Sequence, residues 1–232
     1  MKVEDVELQV SWFIVLLFAG VCTHAQEVPQ TKKEIWPEID VFFPVKDRFR
    51  LVVVGGSEKD GETNNSFEGQ AAIYLDYFLK DKVTLRAGYR YGFSLGSNEP
   101  FNEHRIVLDQ TLHKPIPRNF VLSDRNREEF RWFDADFSMR YRNRAKVEKT
   151  FAFSKRSLVP YVSGEVFYDT RFSTFNRFRL ATGTQIVFAK REFWLSNLRR
   201  QRMLDVYYVW QRDSRSQSKN LHAIGVTFEI HF

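Results

Sequence analysis

The chain has 232 residues, with 35 lysines and arginines against 29 acids, a formal net charge of +6 and a sequence pI near 9.4. At 43% hydrophobic and 16% aromatic it is too apolar to remain disordered. A mean hydropathy of −0.41 excludes a multi-helix membrane protein but not a membrane β-barrel, whose alternating strands average to a hydrophilic score.

Residues 10–22 form an apolar run shorter than the roughly 20 residues that a helical span needs. Thr23 and Ala25 then place small residues at −3 and −1 before Gln26, the pattern of a secretory signal peptide. Its n-region is unusual in carrying Glu4, Asp5 and Glu7 beside Lys2, and a buried helix of a soluble protein is the alternative. Val21 before Cys22 argues against a lipoprotein. Cleavage after Ala25 removes one lysine and three acids, so the net charge rises from +6 to +8. It also removes the only cysteine, which suits an oxidising compartment. The expected organisation is a signal peptide over 1–25, a short linker over 26–34 and one barrel domain over 35–232.

Beyond Gln26 no apolar run keeps helical spacing for more than two turns, and period-2 alternation recurs instead. Segments 36–43, 49–56 and 70–79 come first. In 83–94, Val83, Leu85, Ala87, Tyr89, Tyr91 and Phe93 oppose Arg86, Gly88, Arg90 and Gly92. In 103–113, Ile106, Leu108 and Leu112 oppose Glu103, Arg105, Asp109 and Thr111. Segments 120–132 and 137–144 follow, and then 160–171, with Val162 and Val166 opposite Glu165 and Asp169. In 177–188, Phe178, Leu180, Ile186 and Phe188 oppose Arg177, Arg179, Gly183 and Gln185. Segment 203–213 sets Leu204, Val206, Tyr208 and Trp210 against Asp205, Tyr207 and Gln211. The clearest is 221–232, with Ile224, Val226, Phe228, Ile230 and Phe232 on one face and Ala223, Gly225, Thr227, Glu229 and His231 on the other. Gln110, Glu128 and Asn143 fall on nominally apolar faces and blur the register there.

These segments, about eleven, are each near the 9–11 residues that cross a membrane as tilted strands. Connections 80–82 and 113–118 are short, whereas 57–66 and 212–220 are long and polar, the pattern of a barrel with short periplasmic turns. An even count requires 10 strands with 36–43 unusual, or 12 with one more to find. The fold expected is therefore all-β: an antiparallel up-and-down transmembrane β-barrel of about 10 strands, with 12 as the alternative.

Periodicity is the same for a soluble sandwich and a membrane barrel. The export signal, the last strand closing on Phe232, and aromatics near strand ends (Trp36, Tyr89, Tyr91, Phe93, Trp194 and Trp210) favour the barrel. Its charged face then points into the lumen. The residues expected there, as ligand contacts or lining, are Arg86, Arg90, Arg105, Asp109, Arg140, Arg142, Glu165, Arg177 and Arg179, joined by Arg125, Arg127, Arg131 and Arg144 and by Asp76, Glu103, Glu129, Asp169, Asp205 and Glu229. A bore near eight strands is just wide enough for side chains to fill. An ion-pair lattice and a narrow anion-preferring passage are both open readings.

No catalytic or cofactor signature is present: the five histidines have no HxxxH or HExxH spacing, and GxSxG, GxGxxG and P-loop patterns are absent. No enzyme, metal or cofactor is expected; the nearest catalytic constellation is Asp205, Asp213 and His222 across the last hairpin. The basic clusters at 125–127 and 140–144 interleave with acids at strand period, so internal pairing is expected and nucleic-acid binding is not. The cluster at 197–202 sits on an expected periplasmic turn, where it meets lipid headgroups or water.

In order along the chain, Trp36-Pro37-Glu38, Gly88-Tyr89-Arg90, Glu103-His104-Arg105, Arg140-Tyr141-Arg142, Pro160-Tyr161-Val162-Ser163-Gly164-Glu165, Arg179 with Gly183, and Tyr207-Tyr208 resemble a family of bacterial outer-membrane proteins, domain of unknown function 2490. The resemblance implies an outer-membrane barrel of a diderm bacterium and no assigned activity. The acidic n-region and an extra loop at 194–201 depart from it. Expected partners are outer-membrane lipids and, through the last strand ending at Phe232, the barrel-assembly machinery. The function expected is a structural or narrow-pore role in the cell outer membrane; a soluble periplasmic β-barrel binding an anionic small molecule or glycan is the alternative.

Overall fold

The computed structural model describes residues 31–60, 67–79, 82–95, 102–133, 136–153, 156–188, 191–193, 196–216 and 219–232. The expected signal segment and Trp194 lie outside them. Thirteen strands follow in chain order: β1 (Thr31–Lys46), β2 (Phe49–Asp60), β3 (Phe67–Leu79), β4 (Val83–Leu95), β5 (Asn102–Ile116), β6 (Phe120–Phe133), β7 (Asp136–Lys149), β8 (Phe151–Ala152), β9 (Arg156–Asp169), β10 (Thr174–Phe188), β11 (Arg191–Phe193), β12 (Ser196–Asp213) and β13 (Asn220–His231). The two- and three-residue strands β8 and β11 extend the turns beside β9 and β12. The other eleven pair into one closed ring, in sequence order from β1 round to β13.

The expected even count of 10 or 12 gives way to eleven. In an up-and-down ring an odd number makes the first and last strands run the same way, so the closing pair is parallel. β1 and β13 form that seam, in register from Thr31 opposite Asn220 to Phe42 opposite His231. Every other ring pairing is antiparallel. The seam is the reason 36–43 looked unusual: it is an ordinary strand with an unusual neighbour. Two other segments also differ from expectation. Gly55 and Gly56 sit inside β2, not at its end, and the expected loop at 194–201 contains the start of β12, paired with β11. The long-loop pattern is only partly present, since β9 and β10 are joined by the tight turn Thr170–Ser173.

Alternation decides which side chain faces where. On β13, Ala223, Gly225 and Thr227 are buried while Ile224 and Val226 are exposed. The same split runs round the ring. Outside lie Ile35, Ile39, Ile73, Leu75, Ile106, Leu108, Met139 and Val162, all exposed; inside lie Asp76, Glu103, Asp109, Glu129, Glu165 and Asp169, all buried. The interior also holds two small apolar clusters, one of Phe42, Val52, Val54, Ala72, Tyr74 and Val107 and one around Trp36, Val209 and Ala223. Gly225, beside the seam, leaves room for the Tyr207 ring lying across it; a Cβ there would collide with that ring.

The seam has a direct test. Ile39 and Phe228 are register partners on the outer face, at the roughly 5 Å spacing of neighbouring strands that a disulfide tolerates. The mature Ile39→Cys/Phe228→Cys chain should form an intramolecular disulfide under mild oxidation, seen as faster migration when denatured without reductant. Failure to cross-link would exclude the parallel closure.

Candidate functional site

The inner faces of β4–β7 and β10 carry arginines at even spacing because each strand alternates, and neighbouring strands set them beside carboxylates. Glu129, at 1% exposure, is the centre. Arg142 donates to it at 2.9 Å, with Arg140 at 3.8 Å and Arg127 at 3.9 Å. Arg142 also grips Glu165 through two bonds of 3.1 Å, and Arg125 reaches across β7 to the same carboxylate at 2.7 Å. Arg127 forks onto Asp109 at 2.6 and 2.7 Å. Arg140 and Arg131 converge on Asp169 at 3.1 and 3.3 Å, where Arg171 from the turn joins at 2.8 Å, and Arg131 and Arg105 both bond Glu103. One lattice thus links β5, β6, β7 and β9. Arginine suits it because its planar fork reaches two carboxylate oxygens at once and stays charged when buried.

A second cluster stands on β2–β4, where Asp76, fully buried, takes Arg50 at 2.7 Å and Arg86 at 2.6 Å. The ring of Phe167 lies under Arg142, Arg177 and Arg179, and Arg179 reaches past β12 and β13 to stack on Trp36 of β1 at 4.8 Å. Cation–π contacts of this kind gain strength where water is excluded.

Between these side chains remains a cavity of about 710 Å³. Its walls are segregated. Every arginine on it comes from β4–β10 or the β9–β10 turn, where Glu103 and Glu165 also face it, whereas Glu34, Glu38, Asp40, Glu58, Glu68 and Glu229, with Lys32, come from β1–β3 and β13, and Asp205 and Asp213 from β12. The lumen is therefore not uniformly cationic, as the arginine excess had suggested; a basic wall faces an acidic one. Four arginines on the basic wall, Arg90, Arg105, Arg125 and Arg144, have a buried Nε without a hydrogen-bond partner, and the last two stand out. Arg125 and Arg144 are register partners on β6 and β7, so like charges lie side by side. The Nε atoms of both are buried without a hydrogen-bond partner, and among the described residues Arg144 has no ion pair within 4.0 Å.

All nine residues expected as ligand contacts or lining (Arg86, Arg90, Arg105, Asp109, Arg140, Arg142, Glu165, Arg177 and Arg179) point inward. Arg177 pairs with Asp213, and Arg179 forks onto Gln211. Trp36, expected in an interfacial belt, instead faces the lumen and donates its ring N–H to Glu34. Asp205, Asp213 and His222 do not converge: Asp205 accepts from Tyr161 at 3.1 Å and Asp213 from Arg177, both inside, while His222 bonds Tyr208 outside. Among the described residues no group of three or more His, Cys, Asp or Glu side chains can hold a metal ion. Sequence reading missed Arg50, Arg171 and, apart from Glu229, the acidic wall. Glu34, Glu38 and Asp40 were legible, since they alternate with Ile35, Pro37, Ile39 and Val41.

Glu165 is the most connected carboxylate facing the cavity, so neutralising it tests the lattice. Glu165→Gln strands Arg125 and Arg142 in a buried site, and a loss of about 3–5 kcal/mol is expected, measured as a lower urea midpoint. An unchanged midpoint would place Glu165 in water.

The comparisons with known proteins bear on the whole ring. No curated protein matches the chain. Among solved structures, LpxR from Salmonella typhimurium is similar at a TM-score of 0.49 and 6% sequence identity, over 79% of this chain and 83% of that one. A family model described as a protein of unknown function, DUF2490, matches residues 33–222, from the start of β1 into β13. With most of the ring inside that match, the chain belongs to the DUF2490 family.

Proposed function

We propose that the chain is an outer-membrane β-barrel whose lumen is closed by ion pairs around a small-solute cavity. The observation that carries this reading is the inverted polarity of the closed sheet, with large apolar side chains outside and charges buried within. A soluble barrel does the reverse. Leaving Ile35, Ile73, Phe137 and Ile224 in water forfeits about 1.5–3 kcal/mol for each, a loss that lipid contact removes. Aromatics at both ends of the outer face fit interfacial girdles: Phe43 stacks on Phe232 and Phe49 packs on Tyr77 at the turn end, while Trp132 with Phe137 and Phe178 with Trp210 lie toward the other. The last strand, with Phe232 bonded to Phe42 across the seam, is the proposed recognition element for the assembly machinery.

The lattice argues against an open pore. Eleven strands enclose a narrow bore, and paired arginine side chains fill the side of it formed by β4–β10. The remaining cavity fits a small anion or zwitterion, with its negative group against Arg125 and Arg144 and any positive group toward Glu38 and Asp40.

Two measurements test this. Unboiled protein from the outer-membrane fraction should migrate faster on a gel than boiled protein; recovery in the soluble periplasmic fraction would overturn the membrane reading and favour a soluble anion-binding barrel. In planar bilayers the wild type should show no large open-channel steps. Any small current should prefer anions, and Arg144→Ala should reduce that preference; large, unselective steps would overturn the closed-lumen reading.

A further inference from the structure

Glu165 on β9 stands in register with Arg144 on β7, and Arg144 with Arg125 on β6. Such partners on antiparallel strands bring their Cβ atoms within about 5.5 Å of one another. The carboxylate opposite Arg144 nevertheless serves its neighbours. Glu165 accepts two bonds from Arg142 and one from Arg125, and Arg179 lies 4.0 Å away. Among the described residues Arg144 makes no side-chain hydrogen bond and no ion pair, although its Nε is buried. Arg125 also keeps an unpartnered Nε, since it reaches Glu165 through Nη2. Two guanidinium groups thus lie side by side with unused donors, and like charges so placed repel.

The wall beside them is cut back. The next inner positions toward the turn end are Lys146 on β7 and Ser163 on β9, themselves register partners, followed by Ala181 on β10. The small side chains of Ser163 and Ala181 leave space beside Arg144, and these residues line the same cavity as Arg125 and Lys146. Lys146 stands over the Tyr161 ring at 5.4 Å and pairs with Glu148, which holds its ammonium on this wall. The cavity also reaches Ser216 and Lys219 of the β12–β13 turn, at the end of the bore opposite Phe232.

On the small-solute reading above, we propose that Arg125, Arg144, Lys146 and Ser163 form a binding site for a tetrahedral dianion, a phosphate or sulfate group. The site presents donors from guanidinium, ammonium and hydroxyl groups, while its one carboxylate, Glu165, is committed to Arg142 and Arg125. The edge of a free guanidinium forks onto two oxygens of one oxyanion. A tetrahedral group has further oxygens for Arg125 and Lys146, whereas a planar monocarboxylate that fills one fork leaves the second arginine unmatched. Two negative charges also offset the repulsion between both arginines, and one charge offsets only part of it. A positive group on the ligand gains only if it reaches Glu38 and Asp40 on the acidic wall. An arginine that costs stability in the empty barrel and gains partners only with a ligand is placed for binding rather than for the lattice.

The test titrates the folded, detergent-solubilised mature chain calorimetrically with phosphate, sulfate, acetate and glycine. Phosphate and sulfate should bind; acetate and glycine should bind about tenfold more weakly, the loss of one charge-assisted contact. Arg144→Gln should weaken phosphate binding by about the same factor. Its urea midpoint without ligand should rise, because the like-charge contact is gone. Arg212→Gln, exposed on the outer face of β12, should bind as the wild type does. Glycerol 3-phosphate separates the sources: binding as tight as phosphate supports an esterified ligand, and binding of the inorganic ions alone supports a free one. Acetate or glycine binding as tightly as phosphate, wild-type affinity in Arg144→Gln, or a lower midpoint in that variant would overturn the dianion site and leave the small-solute cavity standing. A folded wild type that binds none of these solutes would overturn both.

Discussion

The pairing of buried arginines with carboxylates across β5, β6, β7 and β9 is the interaction on which the rest of the barrel depends. A closed sheet with its apolar face outward must fill its interior with something, and here the filling is charge. Glu129, Glu165, Asp109 and Asp169 are buried only because Arg142, Arg125, Arg127 and Arg140 reach them from neighbouring or next-neighbouring strands. Such pairs gain little net free energy over a well-packed apolar core, since desolvation offsets much of the attraction. Their structural effect lies in register. Sliding one strand by a single residue turns every inner charge outward, so the lattice tolerates one alignment.

Closure with eleven strands follows from the same alternation. β1 meets β13 in parallel, and the seam keeps inner faces together: Glu38 beside Thr227, Asp40 beside Glu229, Phe42 beside His231. His231 stacks on Phe42 with ring centroids 4.1 Å apart and bonds Glu229 at 3.0 Å, closing the acidic wall at the turn end. The segregation of the two walls has its origin here. The seam strands bring acids and small residues, while β4–β10 bring arginines, so a field runs across the bore.

Much of this was legible in the sequence. Period-2 spacing located the ring strands, and it set the inward face of β4, β10, β12 and β13 residue by residue. Parity did not follow, because nothing in a strand's composition states whether its neighbour runs parallel. The inward turn of Trp36 was hidden because an aromatic fits a lumen or a girdle equally well; its place is fixed by Pro37 and Ile39 taking the outer positions. Partner choice was also out of reach: composition gave the arginines and the acids, but only register shows that Arg125 reaches over β7 to Glu165 and that Arg144 has no ion-paired carboxylate among the described residues.

β6 is where these constraints meet. From Asp124 to Glu129 the strand is polar on both faces, with Arg125, Arg127 and Glu129 inside and Asp124, Asn126 and Glu128 outside. A strand without an apolar stripe has no hydrophobic reason to keep either face in place. Inside, the two bonds from Arg127 to Asp109 and the bond from Arg125 to Glu165 hold it. Outside, Asp124 is held by two amides, while Glu128 has no hydrogen-bond partner among the described residues. The break in apolar alternation that blurred the register in sequence is thus a property of the molecule. It marks the strand whose inner face belongs to the lattice and whose outer face lacks an apolar stripe.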